Sequence, residues 1–407
     1  MRVLLSEGSS LTAREFVSVL GPAGHHLEVL DSSLTCICRF SRWVQRVHRC
    51  PIPAADPLGY LQAVNSVFAA GRFDVLLPTH EQAWLFAAAR SRLDVADRVA
   101  VADPEAFARV QSKIECARLL DEVGLPQPRW GIVDSPEDLA HWEPTFYLKA
   151  PFSTAGAGVR RVMKVEEAEG AFVALRAMAP DIPLMIQAAA EGEYAQVQAL
   201  FDHGRLVAAH ESVQTAVGIG PSAAGRVSVR HAFAREDVAR VGERLRWHGG
   251  LTLDYLFTST EHRYIECNPR TVEPANATAS GVDLPALQLD LSLGRHPAEV
   301  PPGRAGIRTH GSLAILLGAA AYRGTRRAVL AEGLRLAFRR GPYRHSQERL
   351  TNPWRDPPST IPLLVAVARV MITPGAAHRL ARAAVGAYSM TPEAIQTLMA
   401  PRAAGAM

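Results

Sequence analysis

Three scarcities in the sequence narrow the class of protein. The 407-residue chain has only five cysteines, an odd number that argues against a disulfide framework and favours a reducing compartment. Its longest apolar runs, such as the one beginning at Leu313, are far shorter than the roughly 20 residues of a membrane-spanning helix. No basic segment followed by a long apolar stretch opens the chain. With 48% hydrophobic and 21% charged residues, we expect a globular, cytoplasmic protein without a signal peptide.

Lysine is the scarcest basic residue. Of the 44 lysines and arginines, only Lys113, Lys149 and Lys164 are lysines. Arginine is used wherever a positive charge is sufficient, so the few lysines are candidates for sites that need a compact ammonium group.

Charge is divided unevenly along the chain. Residues 301–407 contain 15 arginines and four acidic residues, which gives this tail a formal charge of +11. The first 300 residues contain 29 basic and 36 acidic residues, a charge of −7. The basic tail either docks on the acidic body or meets an external anionic partner.

The order of elements predicts several domains, as the length of the chain also does. Residues 1–103 alternate strands with helices, which is typical of a small parallel α/β domain, and they lack a G-x-G-x-x-G turn. Residues 104–185 begin with a helical segment and continue into a strand pair. Residues 181–268 alternate strands and loops, as an antiparallel sheet does. Residues 299–407 are predicted to be mostly helical.

Charged and amide side chains alternate along the strand "RYIECNPR". Glu266, Asn268 and Arg270 point to one face, because successive side chains of a strand alternate. If "TSTEH" is the turn of a hairpin, Asp254 in the preceding strand lies directly opposite Glu266. Two facing carboxylates repel unless a cation lies between them.

Two interpretations of this face stay open. Asp254 and Glu266, with the amide oxygen of Asn268, suit a hard cation such as Mg²⁺ that shares its ligands with water and phosphate. The alternative is a solvated strand face with an arginine–glutamate pair.

The segment "LKAPFSTAGAGV" offers groups for phosphate. Lys149 leaves a strand, and the small residues Ser153, Thr154, Gly156 and Gly158 follow. Such a loop lets backbone N–H groups approach phosphate oxygens, with the lysine as a point charge beside them. Glycine-rich hairpin turns are also common without any ligand.

Taken together, these parts resemble the ATP-grasp family over roughly residues 1–295. "SKIECARLLDEVGLPQP" is similar to the family's helix with its first nucleotide lysine, and "FYLKAPFSTAGAGV" to the strand and loop with the second. "LMIQAAAEGEYAQVQAL" looks like the hinge strand that reads adenine, and "IECNPRTVEPANATASGVDLP" like the closing metal-binding motif. The resemblance is nearest to carbamoyl-phosphate-synthase-like and carboxylate-amine ligase members.

The resemblance implies a mixed α/β and α+β fold. A small parallel pre-ATP-grasp domain, 1–103, would precede a lid subdomain, 104–185, and a sheet subdomain with the metal site, 186–298. These two subdomains would clamp ATP, and 299–407 would be a basic helical extension.

The resemblance also implies ATP and Mg²⁺, or Mn²⁺, as cofactors. Lys113 and Lys149 would hold phosphate oxygens, and the loop of Ser153, Thr154, Gly156 and Gly158 would fold over them. Asp254, Glu266 and Asn268 would be the metal ligands. Glu193 matches the acid that holds ribose hydroxyls. Gln187 stands where the family usually has an acid, but its amide oxygen can still accept from the adenine amino group.

The implied reaction transfers the γ-phosphoryl group to a small carboxylate, and an amine then displaces phosphate. Lys149 and Arg270 would be catalytic, Arg270 by gripping the carboxylate or the oxyanion. His210, Arg226 and Arg230 are candidate substrate-binding groups, although each also fits an ordinary core or surface role.

Other functions stay open at this stage. A carbamoyl-phosphate-like enzyme that activates bicarbonate is one, and a non-catalytic ATP-binding scaffold is another. The arginine-rich amphipathic tail is typical of a helical cap on the body, and an acidic carrier protein or a membrane surface are alternative partners. Nucleic acid is disfavoured because aromatic residues are not interleaved with the arginines, and an oligomer is possible.

Overall fold

The computed structural model describes residues 1–154, 156–178, 182–219 and 223–399. Within these residues the chain forms three β-sheets flanked by helices, a mixed architecture that confirms the predicted fold class. Over the same residues, no helix has both the length and the apolar content needed to traverse a bilayer.

The first sheet is parallel and has the strand order β3-β2-β1-β4. Its strands are β1 Arg2–Leu5, β2 His26–Asp31, β3 Val44–Arg49 and β4 Val75–Leu77, and its helices are α1 Leu11–Leu20, α2 Pro57–Gly71 and α3 Gln82–Ala88. Ser10 begins α1 by accepting a hydrogen bond from the backbone N–H of Ala13, at 2.9 Å. β3 was not foreseen, because its half-exposed residues lack an apolar face.

Two consecutive helices, α4 Pro104–Gln111 and α5 Lys113–Glu122, follow the first sheet. The sequence predicts one helical segment here, but Ser112 separates the two helices. Its backbone is extended, and its hydroxyl accepts from the N–H of Glu115 at the start of α5. This break places Lys113 at the first position of a helix.

The second sheet is small, antiparallel and ordered β5-β8-β6-β7. It consists of β5 Trp130–Val133, β6 Phe146–Lys149, β7 Val159–Val162 and β8 Leu184–Ala188, and α6 Ala168–Arg176 packs on it. Leu148, Ile186 and Phe172 lie in their shared core.

The third sheet has seven strands in the order β13-β12-β9-β10-β11-β14-β15. Its bounds are β9 Glu193–Asp202, β10 Arg205–Val217, β11 Ala223–Val229, β12 Gly249–Phe257, β13 His262–Asn268, β14 Arg308–His310 and β15 Ser346–Glu348, and α7 Ala232–Leu245 lies between β11 and β12. Val197, Leu253 and Tyr264 belong to the buried apolar core on one face. Gln196 and Asp254 are neighbours on the opposite, polar face.

The remaining helices follow β13, and most belong to the tail. They are α8 Ala275–Ser280, α9 Leu284–Ser292, α10 Ser312–Arg323, α11 Arg326–Ala337, α12 Thr360–Ile372, α13 Ala376–Tyr388 and α14 Pro392–Met399. The tail is mostly helical, as predicted, but it also supplies β14 and β15 to the large sheet, which the sequence did not reveal. The division at residues 298/299 therefore stays a prediction.

The tail is also tied to the first domain. The buried carboxylate of Asp356 accepts from Arg14 and Ser41, both at 2.6 Å, and α14 packs against α2 and α3. The first domain, the large sheet and the tail therefore share one continuous body.

Candidate active site

The hairpin of β12 and β13 brings two carboxylates together. Asp254 lies opposite Glu266, which confirms the predicted pairing, and Thr252 lies opposite Asn268. The amide nitrogen of Asn268 donates to Asp254 Oδ2 at 3.2 Å. Burial, followed by the charge of Glu266, raises the pKa of Asp254 to about 7. Asp254 is therefore a buried carboxyl group without enough neighbouring positive charge to keep it fully ionised.

Glu266 shows the opposite behaviour. Its burial would raise the pKa, but the ammonium groups of Lys113 and Lys149 outweigh burial and lower the pKa below its usual value. Lys113 Nζ lies 3.2 Å from Glu266 Oε1 and 3.2 Å from the carbonyl oxygen of Ser153. Helix α5 thus brings the first lysine to the carboxylate pair and to the loop.

Lys149 ends β6 and is 8% exposed. Its Nζ donates to Gln187 Oε1 at 2.6 Å and to the carbonyl oxygen of Ile265 at 3.2 Å. Burial lowers its pKa to about 8, although Glu266 opposes this effect. The two lysines predicted for phosphate therefore converge on one carboxylate.

Gln187 has a different partner from the one expected. Its oxygen, which the sequence assigns to the adenine amino group, accepts from Lys149 in the structure. Because an amide oxygen can accept two hydrogen bonds, this contact leaves the Gln187 oxygen able to accept from an adenine amino group as well. Glu193 is exposed at the start of β9, opposite Phe257, and its ribose contact stays a prediction.

The loop between β6 and β7 folds against the first domain. Thr154 Oγ1 donates to Glu81 Oε1 at 2.6 Å, and the buried Ser153 Oγ has no hydrogen-bond partner among the described residues. Gly156 has φ +73°, a conformation that favours glycine. A Cβ on Gly158 would lie 2.5 Å from the Cβ of Ser153, so only glycine fits there. The middle of the loop at residue 155 lies outside the described residues.

An open, narrow cleft lies between α5, β8 and β13. Apolar side chains such as Met185 and Ile265 line it, and Lys113, Gln187 and Glu266 stand at its polar side. This combination of apolar walls and a few polar groups is typical of a small-ligand pocket.

Arg270 follows β13 and faces the first domain. Its Nη2 lies 3.5 Å from His80 Nε2, and its buried Nε has no partner among the described residues. Burial, with a contribution from Arg270, holds the pKa of His80 well below its usual range, so this imidazole is neutral. The ring of Tyr388 from the tail lies 3.9 Å from the His80 ring.

The three candidate substrate residues have different environments. His210 is buried, and its two ring nitrogens lie 2.9 Å from Asn276 Oδ1 and 3.2 Å from Ser280 Oγ. Burial lowers the pKa of His210 to about 4, so it is a neutral, fully bonded core residue. Arg230 is exposed and donates to the carbonyl oxygen of Gly303 at 3.2 Å, and the structure does not bring it to the site.

Arg226 is the candidate that lies on the polar face. Its Nη2 donates to Glu273 Oε2 at 3.0 Å, while its buried Nε and Nη1 have no partners in the described part of the chain. Glu15, whose pKa burial and Glu273 raise to about 8, interacts with the same arginine. Arg226 and Arg270 thus each retain buried N–H groups without a described partner.

Sequence reasoning missed Tyr194 and Gln196 on β9. The Tyr194 hydroxyl donates to Asp254, and Gln196 pairs in register with Asp254 and has a buried amide nitrogen without a described partner. The alternation in "EYAQVQ" was a usable signal, because it places these polar side chains on one face. No comparable sequence signal indicates Tyr388, since it lies more than a hundred residues beyond β13 along the chain.

Solved structures of similar overall architecture identify the fold. Biotin carboxylase from Campylobacter jejuni, solved as a β-γ-ATP complex, matches with a TM-score of 0.59 at 13% identity over 75% of this chain and 74% of that one. The L-amino acid ligase from Bacillus licheniformis matches with a TM-score of 0.55 at 13% identity over 73% and 74%. Both are ATP-grasp enzymes. The chain has the ATP-grasp fold. The small sheet and the seven-stranded sheet both contribute residues to the cleft.

Similarity in sequence is more limited. Acetyl-CoA carboxylase of Dictyostelium discoideum is 28% identical over 158 residues, 36% of this ATP-grasp chain and 7% of that protein. Pyruvate carboxylase 1 of Caenorhabditis elegans is 28% identical over 231 residues, 51% of this chain and 20% of that protein. The match therefore spans a small part of each of these relatives. No family model matches the sequence.

Proposed function

We propose that this protein is an ATP- and Mg²⁺-dependent ligase that joins a small carboxylate to an amine and releases ADP and phosphate. The observation that carries the proposal is the position of the Asp254–Glu266 pair beside two converging lysines. The ATP-grasp fold and the cleft beside this pair support the same conclusion.

The residues present fit a magnesium ion. Asp254, Glu266 and Asn268 offer oxygen ligands, which Mg²⁺ or Mn²⁺ prefers. The raised pKa of Asp254 indicates a carboxylate that a cation would hold ionised. When bound, the ion would neutralise negative charge on the phosphates during transfer. Asn268 would orient Asp254 through its hydrogen bond.

The lysines and the loop would hold the nucleotide. We assign phosphate oxygens to Lys113 and Lys149 and the base to the apolar cleft, where the Gln187 oxygen can accept from the base. Glu193 would hold the ribose. Ser153, with its unused hydroxyl, would close over the phosphates and exclude water, which would otherwise hydrolyse an acyl phosphate.

The substrate carboxylate would bind the unused N–H groups of Arg270 and Arg226. A carboxylate oxygen would attack the γ-phosphorus, and the bond from phosphorus to the ADP oxygen would break. The amine nitrogen would then attack the acyl carbon, phosphate would leave with the carbon–oxygen bonding pair, and the nitrogen would lose one proton to the departing phosphate or to solvent. Arg270 would stabilise the oxyanion formed in this step.

A second candidate is activation of bicarbonate instead of an organic acid. The sequence similarity to acetyl-CoA and pyruvate carboxylases favours it. In that case carboxyphosphate would replace the acyl phosphate at the same site. A non-catalytic scaffold is less favoured, because the predicted lysines, acids and Arg270 are all present.

A mass-spectrometric screen tests these functions. The protein is incubated with ATP, Mg²⁺ and pools of carboxylates and amines, and with ¹³C-bicarbonate in a parallel arm, while ADP and AMP are quantified. The proposal expects an unlabelled condensed product with one ADP per bond formed, and no product with Glu266→Gln. Label in the product would support the bicarbonate candidate, and AMP as the nucleotide product would contradict both.

The tail suggests a further partner. Leu330, Leu334 and Phe338 are 53%, 57% and 65% exposed and lie four residues apart, so they form one stripe on α11. Arg339 and Arg340 follow this stripe at the end of the helix. We propose that it docks on an anionic membrane surface, for which exposed apolar side chains beside arginine are suited. The odd number of cysteines, all five of them buried, favours a reducing compartment and so supports a cytoplasmic location.

Flotation with vesicles tests this docking. Binding to vesicles with phosphatidylserine, but not to phosphatidylcholine alone, supports the proposal if Leu334→Glu removes it. Absence of flotation contradicts it, and capture of a purified acidic carrier protein would then assign the stripe to a protein partner. Association into an oligomer stays a prediction, which analytical ultracentrifugation can test.

A further inference from the structure

A cluster of histidines and one carboxylate lies at the end of the large sheet remote from the ATP site. Asp202 ends β9, His203 occupies the turn before β10, and His248 directly precedes β12. One potential ligand atom from each of these residues lies within 4.8 Å of the others. His296, from the segment after α9, contacts Asp202 at 2.8 Å through its Nδ1.

One oxygen of the Asp202 carboxylate is hydrogen-bonded, and the other is directed into the cluster. Oδ2 accepts from Arg205 Nη2 at 2.9 Å and from His296. Oδ1 faces His248 Nδ1 at 3.8 Å, too long for a hydrogen bond. That nitrogen is buried and has no hydrogen-bond partner within the described ranges. A buried imidazole nitrogen and a carboxylate oxygen therefore face each other with no described group between them.

The backbone holds His203 in place. His203 and Gly204 have φ of +50° and +96°, as in a two-residue hairpin turn, and the N–H of Gly204 donates to the carbonyl oxygen of Trp247 at 2.7 Å. The left-handed conformation is unfavourable for a residue other than glycine. In this position the His203 and His248 rings stack with centroids 4.2 Å apart.

We propose that Asp202, His203 and His248 bind a divalent transition metal of the zinc class, with His296 as a fourth ligand. Imidazole nitrogen and carboxylate oxygen are ligands that Zn²⁺ favours, at about 2.0–2.2 Å. The exposed side chains of His203 and His296 can rotate toward the metal position. Arg205 stays hydrogen-bonded to Oδ2 of Asp202.

The metal would be structural rather than catalytic. His248 precedes Asp254 by six residues, which is about 20 Å along a strand. The ion would tie the β9–β10 turn to the start of β12. Strands β9 and β12 carry Gln196 and Asp254, respectively, to the proposed ATP site. The metal would therefore stabilise the register between these two strands.

A cobalt titration tests the proposal independently of the proposed enzymatic function. The tag-free full chain is stripped with chelator and titrated with Co²⁺ in excess Mg²⁺, which occupies oxygen-only sites. We expect one equivalent of Co²⁺ with the visible absorption of a tetrahedral site, displaced by Zn²⁺, and a Tm that Zn²⁺ raises. His203→Asn removes a ligand but tolerates the left-handed turn, so affinity should fall at least roughly tenfold.

Two control variants make the result specific. His378→Asn changes an exposed histidine on α13, and Glu266→Gln changes the nucleotide site; both should bind Co²⁺ as the wild type does. The proposal is overturned if the wild type takes up no Co²⁺ in excess Mg²⁺. It is equally overturned if His203→Asn binds as tightly as His378→Asn.

Discussion

Replacing Lys149 by methionine isolates the contribution of one buried ammonium group. Methionine keeps the length and most of the volume of lysine without its charge. Lys149 is 8% exposed, and burial lowers its pKa to about 8, so the free protein gains little from ionising it. We therefore expect the variant to fold, with a Tm lowered only by the loss of the hydrogen bonds to Gln187 and to the carbonyl of Ile265. Glu266 retains Lys113 as an ion-pair partner at 3.2 Å.

Nucleotide binding should respond much more strongly. A hydrogen bond to a charged group contributes about 1.5–3 kcal/mol, which corresponds to a rise in Kd of about 10- to 150-fold. Isothermal titration calorimetry with ATP and Mg²⁺ measures this change without knowledge of the substrates. Lys149→Arg keeps the charge but adds a larger planar group in a buried site, and we expect it to be severely impaired as well.

The scarcity of lysine supplies the matched control. Lys164 is exposed after β7, and Lys164→Met should leave the Kd for ATP unchanged. Binding by Lys149→Met within threefold of the wild type would refute the assignment of this lysine to phosphate. Normal binding by Lys149→Arg would refute the inference that the site needs a compact ammonium group.

Three other predictions concern catalysis, the tail and pH. Glu266→Gln should reduce ADP formation by roughly 10²- to 10³-fold, because it removes a ligand of the proposed metal; Mg²⁺-dependent activity near the wild-type level in a coupled ADP assay would contradict the metal assignment. Ile395→Ala should lower the free energy of unfolding by about 2–5 kcal/mol, because Ile395 is 5% exposed in the main core, whereas Ile361→Ala at a 44% exposed position should change it by less than about 0.5 kcal/mol. Equal urea midpoints for these two variants would show that α14 does not stabilise the core. Burial raises the pKa of Glu211 from 4.5 to about 7, so the stability associated with its protonated form is complete below pH 4.5 and is lost as the pH rises to 7. The free energy of unfolding of Glu211→Gln should therefore increase relative to that of the wild type by up to about 3 kcal/mol between pH 4 and pH 8, as measured by urea titration. If the difference in free energy between the two proteins does not vary with pH, ionisation of Glu211 is excluded as the cause.

The arrangement of the carboxylates could be predicted because it depends on local rules. A short hairpin and the two-residue period of a strand suffice to place Asp254 opposite Glu266, and the structure has this register. The lysine scarcity indicated Lys113, Lys149 and Lys164; the first two lie together in the structure, whereas Lys164 is exposed.

Features that depend on distant segments could not be predicted in this way. β14 and β15 are three residues long, and their pairing with the large sheet has no periodic signal. The contact between Tyr388 and His80 joins segments more than 300 residues apart. Gln187 was assigned from its place in a motif, but its partner in the structure is set by the neighbouring strand that carries Lys149.

The attachment of α14 to the first domain has a consequence for biosynthesis. The backbone N–H of Met390 donates to Glu81, and Ile395 and Leu398 complete a core that includes Val64 and Phe86. During translation, the apolar surface of α2 and α3 stays uncovered until residues beyond 390 leave the ribosome. Between the synthesis of α3 and that of α14, about 300 residues later, this surface is open to chaperones and proteases, and ribosomes that stop within this interval release a product prone to aggregation.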